Sequence, residues 1–301
     1  MSKHLRAHSE AHHAGWNDPL RPQKPLISGK WLLSAIAITL GMSATCAYAT
    51  LCLLFYQGSW QFLFHPSHTV SVSPNIPYQN IQFDDTETGK PQLTGWWIPV
   101  DSTTRYSGNT ILYLHDGRGS LSDSITQLDT LHTLGINVFV FDYRGFGRSA
   151  DPHPSEISMN QDADAALAYL TGTRHLPTHS LILDGIGLGA TIAVNTAARH
   201  SDIPALVLEN ISPDALTIFA ADKRTKILPV RLLTSDRFDP TETLKTLQTP
   251  KLFIERANDP QTHYLFSVAA MPKQFFQIAP KDQTLYLETL QRFLDELPPH
   301  P

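Results

Sequence analysis

Apolar and polar positions change regime along the chain. Up to residue 30 the sequence is polar, rich in histidine and broken by proline, a pattern that predicts a disordered tail. From Trp31 to Tyr56 it reads WLLSAIAITLGMSATCAYATLCLLFY, without a charged side chain. That exceeds the roughly 20 apolar residues needed to span a bilayer as a helix. Trp31 and Tyr56 stand at its two ends, where aromatic rings favour the headgroup region. A membrane anchor over 31–56 is predicted, with a tail over 1–30 and one domain over 57–301.

Charge gives the anchor a direction. Lys3, Arg6, Arg21, Lys24 and Lys30 precede the span, against Glu10 and Asp18, and no lysine or arginine follows it until Lys90. The positive-inside rule then places the N-terminus in the cytoplasm and the domain outside. The competing reading is a signal peptide cleaved after Ala47–Ala49. Against it, the apolar run continues through TLCLLFY.

Beyond residue 57 short apolar runs alternate with helix-like segments. NIQFDD, LTGWWIP, NTILYLH, INVFVFDY, SLILDG, ALVLEN, KLFIER and QFFQIA read as strands. Helices are predicted at about 122–134, 158–171, 188–200, 214–220, 240–247, 261–270 and 283–296. Ser158 with Gln161 reads as a capping box for the second. Unbroken apolar strands alternating with helices imply a mostly parallel sheet of about eight strands, covered on both faces. The first two runs lack an intervening helix and form a candidate antiparallel meander.

Composition narrows the functions. Hydrophobic residues make up 42%, charged residues 17%, and the net charge is -5. No basic groove for nucleic acid is expected. Cys46 and Cys52, the two cysteines, lie inside the apolar span and suggest neither a disulfide framework nor a metal site. No cofactor is predicted.

The candidate chemistry centres on LDGIGLGAT, residues 183–191. A strand ends in a glycine-rich turn that opens into a helix, the outline of the G-x-S-x-G nucleophile elbow. Gly187 holds the serine position. A dinucleotide fingerprint is a poorer match, because its third glycine is misplaced and the turn comes late, although Glu209 stands near the required distance.

Several stretches resemble the α/β-hydrolase fold, in particular its membrane-anchored, serine-aminopeptidase-like, bud-emergence-type branch. FLFHPS (62–67), LYLHDGRGS, VFDYRGFGRSADPHPSE and the stretch LPVRLLTSDRFDPTETLKTLQTPKLFIERANDP match it in order. The resemblance covers about residues 60–297. It implies a serine, acid and histidine, with two backbone N–H groups holding an oxyanion.

Transferred residue by residue, the pattern is degraded. Gly187 offers no nucleophilic atom, and Asp259 stands at the acid position. Pro280, or Lys281, stands where the histidine belongs. The oxyanion donors fall at Leu188 and in the loop of Asp116 and Gly117. Asp116 replaces a glycine and would repel a developing oxyanion. Asp142 to Gly145 are read as shaping a turn, His115 as orienting its loop, Asp184 as bonding loop backbone, and His175 and His179 as solvated. The expectation is a membrane-anchored protein that lacks standard serine-hydrolase activity and acts by binding a small ligand or a protein partner. The alternative is an active hydrolase using non-standard groups, with Asp116 or Asp259 as a base on water.

Overall fold

The predicted strand runs all form strands; the central ones are apolar on both faces, and the edge runs QNIQFD and KQFFQ are half-polar. The computed structural model describes residues 28–69, 72–84, 91–150, 153–256, 260–280 and 282–297. The expected tail, apart from its last three residues, lies outside them, as do Asp259 and Lys281.

In chain order the strands are β1 (His65–Pro66), β2 (Gln79–Asp84), β3 (Pro91–Ile98), β4 (Tyr106–Leu114), β5 (Arg118–Gly119), β6 (Ile136–Asp142), β7 (Leu181–Ile186), β8 (Ala205–Glu209), β9 (Lys251–Glu255) and β10 (Lys273–Gln277). The helices are α1 (Gly29–Gly58), α2 (Trp60–Leu63), α3 (Ile125–Thr133), α4 (Glu156–Ala168), α5 (Leu188–Arg199), α6 (Ala215–Ala221), α7 (Val230–Leu233), α8 (Thr241–Thr246), α9 (Pro260–Val268) and α10 (Gln283–Asp295). Two short helices, α2 and α7, were not legible in the sequence: one turn carries no periodicity.

The chain divides into two compact units, Met1–Leu51 and Cys52–Pro301. The first holds most of α1. This helix is long and apolar enough to cross a membrane, and its apolar side chains are exposed all round, as at Leu33, Leu40 and Met42. The second holds an eight-stranded sheet in the order β10-β9-β8-β7-β4-β6-β3-β2. β2 pairs antiparallel with β3, the expected meander; β3 also pairs antiparallel with β6, and the remaining neighbours pair parallel.

Strand alternation splits the core in two. Phe139 and Phe141 of β6 pack with Leu183 and the helix residues Ile192 and Leu265. Val138 and Val140 face the other side, with Leu128, Leu131, Tyr286 and Leu290. Helices therefore cover both faces.

The start of α4 differs from expectation. Ser155, not Ser158, is its N-cap. Ser158 N–H donates to Ser155 Oγ at 3.1 Å, and Ser155 N–H donates to Ser158 Oγ at 2.9 Å. The helix starts a turn earlier because this serine pair satisfies donors at both ends of the first turn. Gln161 instead accepts from Arg144 Nη2 at 2.9 Å.

Candidate functional site

At the C-terminal end of β7 the backbone turns sharply at Gly187 (φ 59°, ψ -121°) and enters α5. This left-handed conformation strains any residue with a Cβ, and glycine takes it at little cost. Gly189 lies so close to the carbonyls of Leu114 and His115 that a Cβ there would overlap both. The elbow therefore keeps its shape without a nucleophile.

What fills the empty place is the side chain of Asp116. A Cβ built on Gly187 would overlap Asp116 Oδ1 and Cγ. Asp116 Oδ1 accepts the N–H of Leu188 at 2.9 Å and the N–H of Gly117 at 2.7 Å. These are the two donors expected to hold an oxyanion. The carboxylate also sits at the N-terminus of α5, where the helix dipole favours negative charge. The residues read as oxyanion donors are thus brought together, with the Asp116 carboxylate bonded to both N–H groups.

The loop bearing Asp116 is braced from below. β1 pairs with β5, His65 N–H donates to the Gly117 carbonyl at 2.8 Å, and Ser67 N–H donates to that of Gly119 at 2.7 Å. His115 is buried, and burial pushes its imidazole below the usual histidine range, so the ring is neutral. Its Nδ1 lies 2.7 Å from the Asp116 carbonyl, which fixes the proton there and orients the loop.

The motif DYRG is structural. Asp142 Oδ1 accepts from Leu121 N–H at 2.7 Å. Arg144 Nε donates to the buried Asp162 at 2.6 Å. Asp184 corrects its expected role. It points into the core from β7, and neither carboxylate oxygen has a hydrogen-bond partner among the described residues. Burial, helped by the charge of Glu209, pushes its carboxyl well above the usual range, so it is held neutral. His175 and His179 are exposed, as expected.

A buried polar cluster beside the elbow was not legible in the sequence. Glu209 accepts from Tyr286 OH at 2.6 Å, Gln127 Nε2 at 2.9 Å and Arg256 Nε at 3.0 Å. Its carbonyl accepts Gly187 N–H at 3.0 Å. Burial pushes the Glu209 carboxyl up, against the pull of Arg256. Glu209 is committed to these partners, so the dinucleotide reading loses its acidic residue. A cavity of about 310 Å³ separates this cluster from Asp116 and is lined by Tyr113, Asp116, Arg118, Gln127, Glu209 and Arg256. Pro280 is exposed in the turn after β10. A proline there supplies no base.

The α/β-hydrolase fold family matches residues 109–253. An uncharacterised protein of Mycobacterium tuberculosis is 31% identical over 239 residues, covering 75% of this chain and 83% of its own length. The chain belongs to the bem46-type α/β-hydrolase family. Protein bem46 of Schizosaccharomyces pombe is 28% identical over 218 residues, with 69% and 71% of the two chains covered. Among solved structures, the Pyrococcus furiosus esterase Pf2001 superposes with a TM-score of 0.61 at 17% identity, over 78% of this chain and 98% of that one. An α/β hydrolase of Vibrio vulnificus superposes with 0.59 at 21%, over 73% and 81%. Within this family fold, a glycine stands at the elbow of the present member and an aspartate carboxylate accepts the N–H groups of Leu188 and Gly117.

Proposed function

We propose that this bem46-type protein is a single-pass membrane protein whose domain binds a small ligand or a protein partner and performs no serine-hydrolase chemistry. Its N-terminus lies in the cytoplasm, its anchor spans 31–56 and its domain, 57–301, lies outside. The observation that carries this reading is the Asp116 carboxylate. It takes both oxyanion N–H groups and the space above Gly187, so an acyl carbonyl has neither a nucleophile nor a vacant hole.

The test is labelling of the full chain with a fluorophosphonate probe, beside an active serine hydrolase. No labelling is expected. Stoichiometric modification of any serine overturns the reading. Protease added to spheroplasts should digest the domain and spare an N-terminal tag; the reverse pattern overturns the orientation, and a mature chain beginning near Thr50 overturns the anchor.

One observation favours a second reading, an unconventional hydrolase. Asp116 Oδ1 is held by two N–H groups, while Oδ2 has no hydrogen-bond partner among the described residues and Asp116 lines the cavity. Such a carboxylate can act as a base on water. Turnover of small esters that is abolished in Asp116→Asn but insensitive to the fluorophosphonate would select it.

A further inference from the structure

The segment KRTKILPVRL, residues 223–232, follows α6 and runs into α7, and it carries Lys223, Arg224, Lys226 and Arg231 with no acidic residue. All four cations are exposed. Ile227, between them, is 66% exposed and Leu232, next to Arg231, 84%. Arg224 is committed to Asp222 at 2.6 Å. Lys223, Lys226 and Arg231 have no acidic partner among the described residues.

The segment is tied to the point where the chain leaves its apolar span. Phe219 of α6 packs edge-on against Phe55, in the last turns of α1, with centroids 5.5 Å apart. It also meets Phe62 of α2 at 5.9 Å, and the Arg224 guanidinium lies 4.8 Å from the Phe62 ring centroid. Phe55, Phe62 and Phe219 all belong to the sheet-bearing unit. Tyr56 and Trp60, between Phe55 and Phe62, are the residue types that mark a membrane interface. Cations that alternate with exposed aliphatic side chains, at such a level, match an anionic headgroup layer above an acyl boundary. A cavity of about 780 Å³ is lined by Lys226, Leu228, Arg231 and Leu232 of the segment and by Asp214 and Asp239 beside it.

We propose that residues 223–232 dock on the anionic phospholipids of the bilayer that holds α1, with Ile227 and Leu232 entering the headgroup region and Lys223, Lys226 and Arg231 meeting phosphates. The proposal rests on the membrane-anchored reading above and adds a second, electrostatic contact that fixes which side of the domain faces the lipid.

The experiment uses the full chain in nanodiscs of phosphatidylcholine, with or without phosphatidylglycerol. In a Cys46→Ser, Cys52→Ser background, an environment-sensitive dye is placed through Leu232→Cys, and through Glu242→Cys as an exposed control. The expected result is a shift to shorter wavelength and loss of iodide quenching at position 232 when phosphatidylglycerol is present. Position 242 should not respond, and Lys223→Glu with Lys226→Glu and Arg231→Glu should abolish the effect. No shift in either lipid overturns the proposal. An equal shift in both overturns the anionic specificity. A shift that also appears in detergent and grows with protein concentration assigns the surface to a second copy of the chain and overturns it as well. Carbonate extraction separates the two readings: a retained chain with an aqueous dye rejects docking alone, whereas a released chain rejects the anchor and docking together.

Discussion

Asp116 Oδ1 accepts the backbone N–H of Leu188 at 2.9 Å, across 72 residues of sequence. This bond joins two departures from the family pattern. Gly187 leaves a space at the elbow, and Asp116 places in it a charge that matches the donors a substrate oxyanion would use. On the function proposed above, the domain carries an internal carboxylate where a substrate oxyanion would sit.

Removing that anion should open the site. Asp116→Ala leaves the N–H groups of Gly117 and Leu188 facing the cavity, at a cost of about 1–3 kcal/mol, because charge-assisted bonds at a partly hydrated site are replaced by water. Added acetate should raise the melting temperature of Asp116→Ala and leave the wild type unchanged. Equal responses would show that the hole is not where the carboxylate sits.

The two departures should be coupled energetically. Gly187→Ser alone forces a side chain against Asp116 and strains the left-handed turn, costing about 1–3 kcal/mol from the strain alone. In the double variant with Asp116→Gly the overlap is gone, and the strain and the loss of the carboxylate remain. The double variant should therefore be more stable than the sum of the single effects, by about 0.5–3 kcal/mol. Denaturation of all four proteins measures this, and strict additivity would contradict the overlap.

Adding Pro280→His to that pair should restore ester hydrolysis only in the combined variant, because triad members act as a unit. Tyr286, six residues after Pro280, reaches Glu209, whose carbonyl accepts Gly187 N–H, so the turn after β10 and the elbow belong to one end of the sheet. Esterase assays of the single, double and triple variants check this. A well-folded triple variant without activity moves the histidine position to Lys281, and Lys281→His is the control.

Stability should fall as pH rises through the range where Asp184 loses its proton. Its folded-state pKa is raised, first by burial and then by Glu209. The folded chain keeps a proton that the unfolded chain releases near the ordinary carboxylate value. The contribution is complete below that value and is lost toward the folded pKa, with a slope of at most about 1.4 kcal/mol per pH unit. Asp184→Asn should flatten the dependence between pH 5 and 8. Identical slopes for both proteins would mean that Asp184 is ionised in the fold.

Arg144 lies in a stretch, DYRGFG, that reads as functional, but its variants should fail through stability. Asp162 is buried and bonds the Arg144 Nε and backbone N–H, at 2.6 and 2.8 Å. Arg144→Ala takes the guanidinium away from that buried carboxylate, at a cost of about 3–5 kcal/mol. Arg144→Lys keeps the charge but loses the fork and should fall between. A denaturation midpoint unchanged in Arg144→Ala would return the motif to the list of functional candidates.

The sequence by itself determined the strand set, the parallel pairing, the uncharged span and the absence of a serine at residue 187. Each is written in local order: runs of apolar residues, breaks at glycine and proline, one side chain at one position. It did not reveal that Ser155 begins α4, because two serines three residues apart offer equally plausible caps and only the bonds made choose between them. Nor did it reveal the Glu209, Arg256, Tyr286 and Gln127 cluster, whose members come from distant elements that meet only when α3 and α10 cover the same face. The fate of Asp116 belongs to the tertiary structure above all. In sequence it is a charge beside an oxyanion loop, and repulsion follows. In the fold, β1 bracing β5 brings the loop to the start of α5, and two converging N–H groups turn the same charge into the occupant of the site. Local sequence specifies which groups are present; only the convergence of separate backbone segments decides whether a carboxylate opposes an anion site or fills it.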